Sequence, residues 1–252
     1  MVSKIKLDKN FKNVLFLGDI HGNFFHISWM LNRYRLEDTL IVQVGDFGVG
    51  FDRKKEEWEL KGVNNSLERT GCKVIAMRGN HDDPSMFNNN FNKNILMVRD
   101  FTIVELVLNG MVVNVLFIGG AISIDRKDRK PMGSWWEDEV INVQLSPEVL
   151  DDVTGVNVLV THTAPDFVEP YFFGPLVTKY ASKDPTLLEE LKQERRSLSY
   201  MVNYILERNP DLLQAYYGHF HHSAVTYYNG VQFNMLGIEE MKEFNAAIYN
   251  SL

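Results

Sequence analysis

The chain has 252 residues, enough for one large domain or two small ones with a sizeable core. Its 45% hydrophobic and 23% charged content is that of a soluble globular protein, and a net charge of −7 argues against broad electrostatic binding to long duplex nucleic acid or an anionic membrane. The single cysteine, Cys72, excludes an intramolecular disulfide framework, and no apolar run reaches the length of a membrane span.

The stretch up to Lys12 alternates lysine with apolar residues and lacks a signal-peptide hydrophobic region, so a soluble, cytoplasmic protein is expected. Residues 14–17 are apolar and read as a central strand. The strand stops at Gly18. Asp19 and His21 follow one residue apart, and Gly22 turns the chain into a helix expected over 23–33. Residues 39–44 form a second buried strand, which ends at Gly45-Asp46. Helical spacing over 54–69 points Trp58, Leu60, Val63 and Leu67 inward. A third strand, 73–77, ends at Arg78-Gly79-Asn80-His81-Asp82. Each of these strands delivers a glycine and then a side chain able to bind metal. The βαβαβ rhythm implies a mostly parallel sheet with its ligands at one edge.

The Asn-rich stretch 84–94 reads as solvated connection. Strands follow at 95–98, 102–108 and 111–118, the last two joined by Asn109-Gly110, a hairpin signal; this antiparallel stretch is assigned to a second sheet. An irregular segment covers 121–138. Strand 156–160 ends at Thr161-His162-Thr163. A loop rich in Phe, Tyr and Pro runs to Lys183, and its Tyr171, Phe172 and Phe173 are expected to pack under the loop rather than wall a pocket. Asp184-Pro185 reads as the N-cap and first residue of a long helix ending near Arg208. Its buried stripe is Leu187, Leu188, Leu191, Leu198, Met201, Val202 and Ile205, and its solvated face includes Glu189, Glu190, Glu194, Arg195 and Arg196. Strand 214–217 delivers Gly218-His219-Phe220-His221-His222, and 225–228 with 231–234 close a hairpin at Asn229-Gly230. No repeat or linker interrupts residues 1–252, which are expected to form one domain.

Of the 7 histidines, His21, His81, His162, His219 and His221 recur at strand ends, in company with Asp19, Asp46 and Asn80. Histidines placed for packing would scatter over helices and surfaces, as His26 does. Asp19, His21, Asp46, Asn80, His162, His219 and His221 offer mixed oxygen and nitrogen ligands. That is too many for one tetrahedral zinc and about right for two metals sharing a carboxylate. Two divalent ions roughly 3.5–4 Å apart can lower the pKa of a shared water and clamp a phosphoryl group for in-line attack. Mn²⁺, Fe or Zn²⁺ all suit such ligands.

The set resembles the calcineurin-like metallophosphoesterase superfamily. The matching pieces are Gly18-Asp19-Ile20-His21-Gly22, Gly45-Asp46, Gly79-Asn80-His81-Asp82, His162 and Gly218-His219-Phe220-His221, spanning nearly the whole chain. The resemblance implies an α/β fold, a two-sheet sandwich of mixed β-sheets flanked by helices, with metals at the sheet edge. By position it implies Asp19, His21 and His221 around one metal, Asn80, His162 and His219 around the other, and Asp46 as the bridge. His81 matches the family's non-liganding catalytic histidine, which stabilises the transition state or protonates the leaving oxygen. Asp82 is expected to shape the turn. In the protein Ser/Thr phosphatase branch the second motif continues Gly-Asp-x-x-Asp-Arg-Gly. Here Val49 and Gly50 hold those two places, and Asp52 and Arg53 follow out of register, which argues against a protein phosphatase. The segment from Ser123 to Arg129, followed by Ser134-Trp135-Trp136, is similar to small bacterial and phage-type members.

The expected activity is hydrolysis of a phosphomonoester or phosphodiester by a metal-bridging hydroxide. The alternatives are a nuclease or nucleotide phosphodiesterase acting on cyclic nucleotides, dinucleotides or short oligonucleotides, and, from another class, a non-catalytic binding module on the same fold. Arg126 and Arg129 are the candidates to grip phosphate in place of the missing motif arginine, the other reading being a solvated basic loop. Trp135 and Trp136 are candidates to stack on a nucleobase, with one of them expected in the core. Arg78 lies close to Asn80 in sequence and has no assigned role.

Overall fold

A computed structural model describes residues 2–88, 92–141 and 147–251 of the chain. In chain order its strands are β1 (Ser3–Phe11), β2 (Asn13–Leu17), β3 (Thr39–Gln43), β4 (Lys73–Ala76), β5 (Ile95–Met97), β6 (Thr102–Leu108), β7 (Met111–Ile118), β8 (Val158–Thr161), β9 (Gln214–Tyr217), β10 (Ala224–Tyr228), β11 (Val231–Met235) and β12 (Met241–Glu243). Its α-helices are α1 (Phe25–Arg33), α2 (Arg53–Thr70), α3 (Pro147–Asp151), α4 (Pro175–Ala181) and α5 (Leu187–Arg208).

The strands sort into two mixed sheets, one of five in the order β12-β2-β3-β4-β5 and one of seven in the order β1-β6-β7-β8-β9-β11-β10. Side-chain alternation builds the layers. On the five-stranded sheet, Val14, Phe16, Leu40, Val42 and Ile75 point at the other sheet, where Val104, Val115, Phe117, Val158 and Tyr216 meet them. The opposite side chains, Leu17, Ile41, Val74 and Ala76, pack on Ile27, Met30 and Leu31 of α1 and Leu60, Val63 and Leu67 of α2. The far face of the seven-stranded sheet, through Leu116, Leu159, Ala215 and Phe233, is covered by Leu198, Met201, Val202 and Ile205 of α5. The result is the four-layer α/β sandwich. Central strands buried on both faces explain why they read as continuous apolar runs rather than alternating ones.

Several local expectations need correction. Residues 3–11 form β1, parallel to β6; its lysines and polar residues alternate outward because it is an edge strand. The second sheet is antiparallel only at the two hairpins, β6–β7 and β10–β11; β7, β8, β9 and β11 run parallel. α2 starts at Asp52, which accepts from the Lys55 amide at 3.2 Å, and stops at Gly71 in the left-handed region with φ 68°. Trp58 does not face inward: it is 69% exposed and touches only the rim, edge-on to Phe25. Asp184 does not cap α5. Thr186 holds that position, and Asp184 accepts instead from Arg126. Glu194 and Arg195, expected on a solvated face, are buried. Residues 89–91 of the Asn-rich stretch lie outside the described residues.

Candidate metal centre

The parallel pairing of β2 with β3, β3 with β4 and β8 with β9 brings the ends of these strands to one edge of the sandwich. Asp19 follows β2, Asp46 follows β3, Asn80 follows β4, His162 follows β8, and His219 and His221 follow β9. The turns that deliver them are costly. His21, Asp46, His219 and His221 have φ of 44°, 55°, 69° and 60°, the left-handed region that a Cβ disfavours. They are held there by amide bonds between turns: His21 N to Asp46 O at 2.9 Å and Gly218 N to His162 O at 3.1 Å. Backbone strain of this kind concentrates where side-chain aim matters more than local stability.

The aim is mutual. Ligand-type atoms of Asp19, His21, Asp46 and His221 lie within 4.8 Å of one another. His21 Nε2 is 3.0 Å from His221 Nε2, and His221 Nε2 is 3.4 Å from Asp19 Oδ2. Beside them, Asn80 Oδ1 stands 3.1 Å from His162 Nε2 and 2.8 Å from His219 Nδ1. Asp46 belongs to both groups, with Oδ1 3.1 Å from His162 Nε2 and Oδ2 3.7 Å from His21 Nδ1. All seven predicted ligand residues are thus brought together.

The donor chemistry fits divalent cations. His162 Nδ1 donates to Val44 O at 3.0 Å, which leaves Nε2 as a lone pair directed at Asp46 and Asn80. Asn80 Nδ2 donates to Ser123 Oγ at 3.0 Å, so its Oδ1 is the atom turned to the imidazoles. Ser123 in turn donates from Oγ to Glu139 Oε2 at 2.8 Å and from its amide to Oε1 at 2.7 Å. Asp46 Oδ2 is buried with no hydrogen-bond partner. Lone pairs facing lone pairs in a buried pocket are unfavourable unless a cation lies between them. A proton serves that purpose for one pair. Burial alone would lower His162, but the Asp46 carboxylate, aided by Asp19 and Val44 O, overrides it and raises the imidazole to about 9. Burial, with the nearby His162 charge, pushes His219 well below the usual histidine range.

His81 sits at the rim. Its amide donates to Asp46 Oδ1 at 2.7 Å, and its ring stands edge-on to His21. Arg129 lies against it, with Nη2 touching Nε2 and 3.3 Å from Nδ1, while Arg129 Nε pairs with Asp125 Oδ1 at 2.7 Å. Burial pushes His81 down to about 4; Arg129 and His21 add to the push, and Asp46 opposes it. His81, Arg129, Asp46, Asn80, His219 and His221 all line one cavity of about 640 Å³.

Other candidates are placed elsewhere. Arg126 does not line this cavity: its guanidinium is engaged by Asp184 at 2.7 Å and Glu190 at 2.5 Å. Arg78 is a buried clamp, paired with Asp100 at 2.6 Å and donating to the carbonyls of Asp138, Glu139 and Val140. The Asp82 carboxylate accepts from the amides of Phe47, Gly48, Val49 and Gly79, which makes it the organiser of the two turns. Asp52 and Arg53 serve the start of α2, Arg53 facing Asp83 at 3.3 Å. Trp136 is core, edge-on to Phe51, and Trp135 is half-buried. Glu139, which fixes Ser123 and through it Asn80, was not legible in the sequence; nothing in its spacing ties it to Asn80. Phe172 lines the cavity with its side chain exposed rather than packing beneath the loop, Phe173 both lines the cavity and packs on Ile122, Leu187 and Leu191, and Tyr171 is exposed.

A family model described as calcineurin-like phosphoesterase matches residues 12–223. The chain belongs to the calcineurin-like phosphoesterase family. The calcineurin-like match includes every strand-end turn described above, from Asp19 to His221. No curated protein matches the chain. Among solved structures it is similar to TT1561 of Thermus thermophilus, with 10% identity and a TM-score of 0.56 over 94% of this chain and 99% of that one. It is also similar to a putative 5'-nucleotidase from Staphylococcus aureus, with 10% identity and a TM-score of 0.49 over 92% of this chain and 50% of that one. A third is phosphopantetheinyl hydrolase from Mycobacterium tuberculosis, with 15% identity and a TM-score of 0.40 over 90% of this chain and 91% of that one. At such identities the likeness to TT1561 is one of fold alone.

Proposed function

We propose that this calcineurin-like protein is a metal-dependent phosphoesterase that hydrolyses a phosphomonoester or phosphodiester. The observation that carries the reading is the convergence of ligand-type atoms, buried at Asp19, Asp46, Asn80 and His162 and open to solvent at His21 and His221, with Asp46 Oδ2 left without a partner. Asp19, His21 and His221 would hold one divalent ion, Asn80, His162 and His219 a second, and Asp46 both. Bound ions of this kind supply Lewis acidity at phosphoryl oxygens and a nucleophile from water at neutral pH. The chain's own part is to aim and to neutralise. His81 lines the cavity beside Asp46 and, held neutral by its burial, serves the leaving oxygen by hydrogen bond. Arg129, held at its Nε by Asp125 and lying against His81, brings its guanidinium to the cavity, where it would meet non-bridging phosphate oxygens in place of its present long contacts.

The test uses protein stripped with EDTA and reloaded with Mn²⁺, Fe²⁺ or Zn²⁺, assayed with p-nitrophenyl phosphate and bis-p-nitrophenyl phosphate. Turnover should need metal, and the ratio of the two rates separates monoesterase from diesterase. His81→Ala should keep its metal and lose about 10²–10⁴ in kcat. A loaded protein inert on both esters with each ion rejects the reading and leaves a binding module on this fold.

A further inference from the structure

The cavity lined by Asp46, Asn80, His219 and His221 is lined as well by the chain between 172 and 180. The lining residues there are Phe172, Phe173, Gly174, Leu176, Val177 and Tyr180. Phe173, Leu176, Val177 and Tyr180 have i, i+3, i+4, i+7 spacing, so α4 and the residue pair before it give one apolar face to this cavity. Of these six residues only Tyr180 has a side-chain hydrogen-bonding group. The nearby lysines are engaged: Lys179 stands over the Tyr180 ring, and Lys183 does so as well while pairing with Asp128 at 2.5 Å.

The wall has its own foundation. Phe173, Val177 and Tyr180 pack on Ile122, Leu187 and Leu191, a satellite cluster separate from the three larger cores. The loop leading into it is pinned by buried Arg195, which donates to the carbonyls of Ala164, Pro165, Val168 and Pro170. On this foundation Phe172 and Leu176 are left 88% and 56% exposed. Two large apolar side chains held in water at the mouth of a cavity gain from any apolar group that enters it. A phosphate at the metal end fixes what that group is, namely the organic part of the same ester.

We infer that the substrate is a phosphoester whose organic group is apolar, an alkyl, acyl or aryl chain laid along Phe172, Leu176 and Val177. The inference rests on the phosphoesterase reading for the polar end. A nucleoside is disfavoured because the 172–180 wall has only the Tyr180 hydroxyl to meet the hydrogen-bonding edges of a base, the cavity's other polar lining being Asp125, Arg129, Glu169, His222 and the groups around Asp46, although Phe172 has a face on which one could stack.

The test is binding to the Mn²⁺-loaded protein, measured by calorimetry with methylphosphonate and hexylphosphonate. These share the anion and differ only in apolar length. Hexylphosphonate should bind at least tenfold more tightly. Phe172→Ala and Leu176→Ser, both at exposed positions, should each cut that ratio at least threefold and leave methylphosphonate affinity unchanged. Equal affinities, absence of binding by either phosphonate, or a ratio unchanged in both variants overturns the inference. So does tighter binding of α,β-methyleneadenosine 5′-diphosphate that is lost in Phe172→Ala, since this would assign the wall to a nucleobase. Absence of turnover on the p-nitrophenyl esters would count against the phosphoesterase reading, while the binding ratio is decided separately.

Discussion

Asn80 shows how much a single side chain here depends on the one behind it. Its amide has an oxygen and a nitrogen of nearly equal size, and only the bond from Nδ2 to Ser123 Oγ decides that Oδ1 meets His162 and His219. Outer partners of this kind typically govern 10–100-fold of metal affinity. Ser123→Ala should therefore weaken Mn²⁺ binding by roughly that factor in a calorimetric titration, and should also lower the melting temperature of metal-free protein, since it leaves Asn80 Nδ2 and Glu139 Oε2 buried without their partner; unaltered affinity would remove Ser123 from the site. Gly79 acts by its lack of a side chain. A Cβ there would lie 2.6 Å from His162 Nε2 and closer still to Asp46 Oδ1. The two candidate arginines separate at this scale too. Arg129→Ala should lower kcat/KM for p-nitrophenyl phosphate tenfold or more. Arg126→Ala should leave kcat/KM nearly intact and cost about 1–3 kcal/mol in urea unfolding, because it strips Asp184 of a largely buried partner. The reverse pattern would exchange their roles.

At the scale of elements, α5 departs most from its sequence pattern. Helical periodicity places Glu194 and Arg195 on a solvated polar face, but α5 lies between the second sheet and the loop that carries α4, so the face adjoining its apolar stripe is covered as well. Arg195 is satisfied by four carbonyls. Glu194 has no well-formed hydrogen bond, and burial pushes its carboxyl up to about 8; the Glu139 charge adds to the push and the Ile122 amide opposes it. A carboxyl whose folded pKa is raised holds its proton more tightly when folded. Its contribution to stability is complete below about 4.5 and is lost as pH rises from there to about 8. Glu194→Gln should accordingly flatten the fall of melting temperature between pH 5 and pH 9 and be the more stable protein at pH 9, by on the order of a few kcal/mol. Parallel curves for variant and parent would mean that Glu194 ionises freely. Elements with strong local signals were legible: the Asn109-Gly110 and Asn229-Gly230 hairpins and the apolar strands β2, β3, β4 and β9. β1 and β12 were not, since an edge strand needs only one apolar face and β12 spans just three residues.

For the molecule as a whole, the sandwich exists with its donors poised, so metal should act as a ligand of the folded state. EDTA should lower the melting temperature and added Mn²⁺ restore it, by about 2.7 kcal/mol at a free concentration 100 times Kd. A melting temperature indifferent to both would indicate that the donors hold nothing. None of the described helices is long and apolar enough to cross a membrane.

The chain by itself determined the donors, the order in which they come and the strand after which each one stands. These follow from short-range rules: apolar runs make buried strands, and glycine lets the chain turn sharply where a strand ends. Tertiary structure alone decided that Arg129 rather than Arg126 lines the cavity, that Glu139 stands behind Asn80, that α5 is covered on its charged side, and that α4 lines the same cavity with apolar side chains. Each of those pairings joins segments whose separation in sequence carries no periodicity, and only the stacking of two sheets and their helices sets the distance between them.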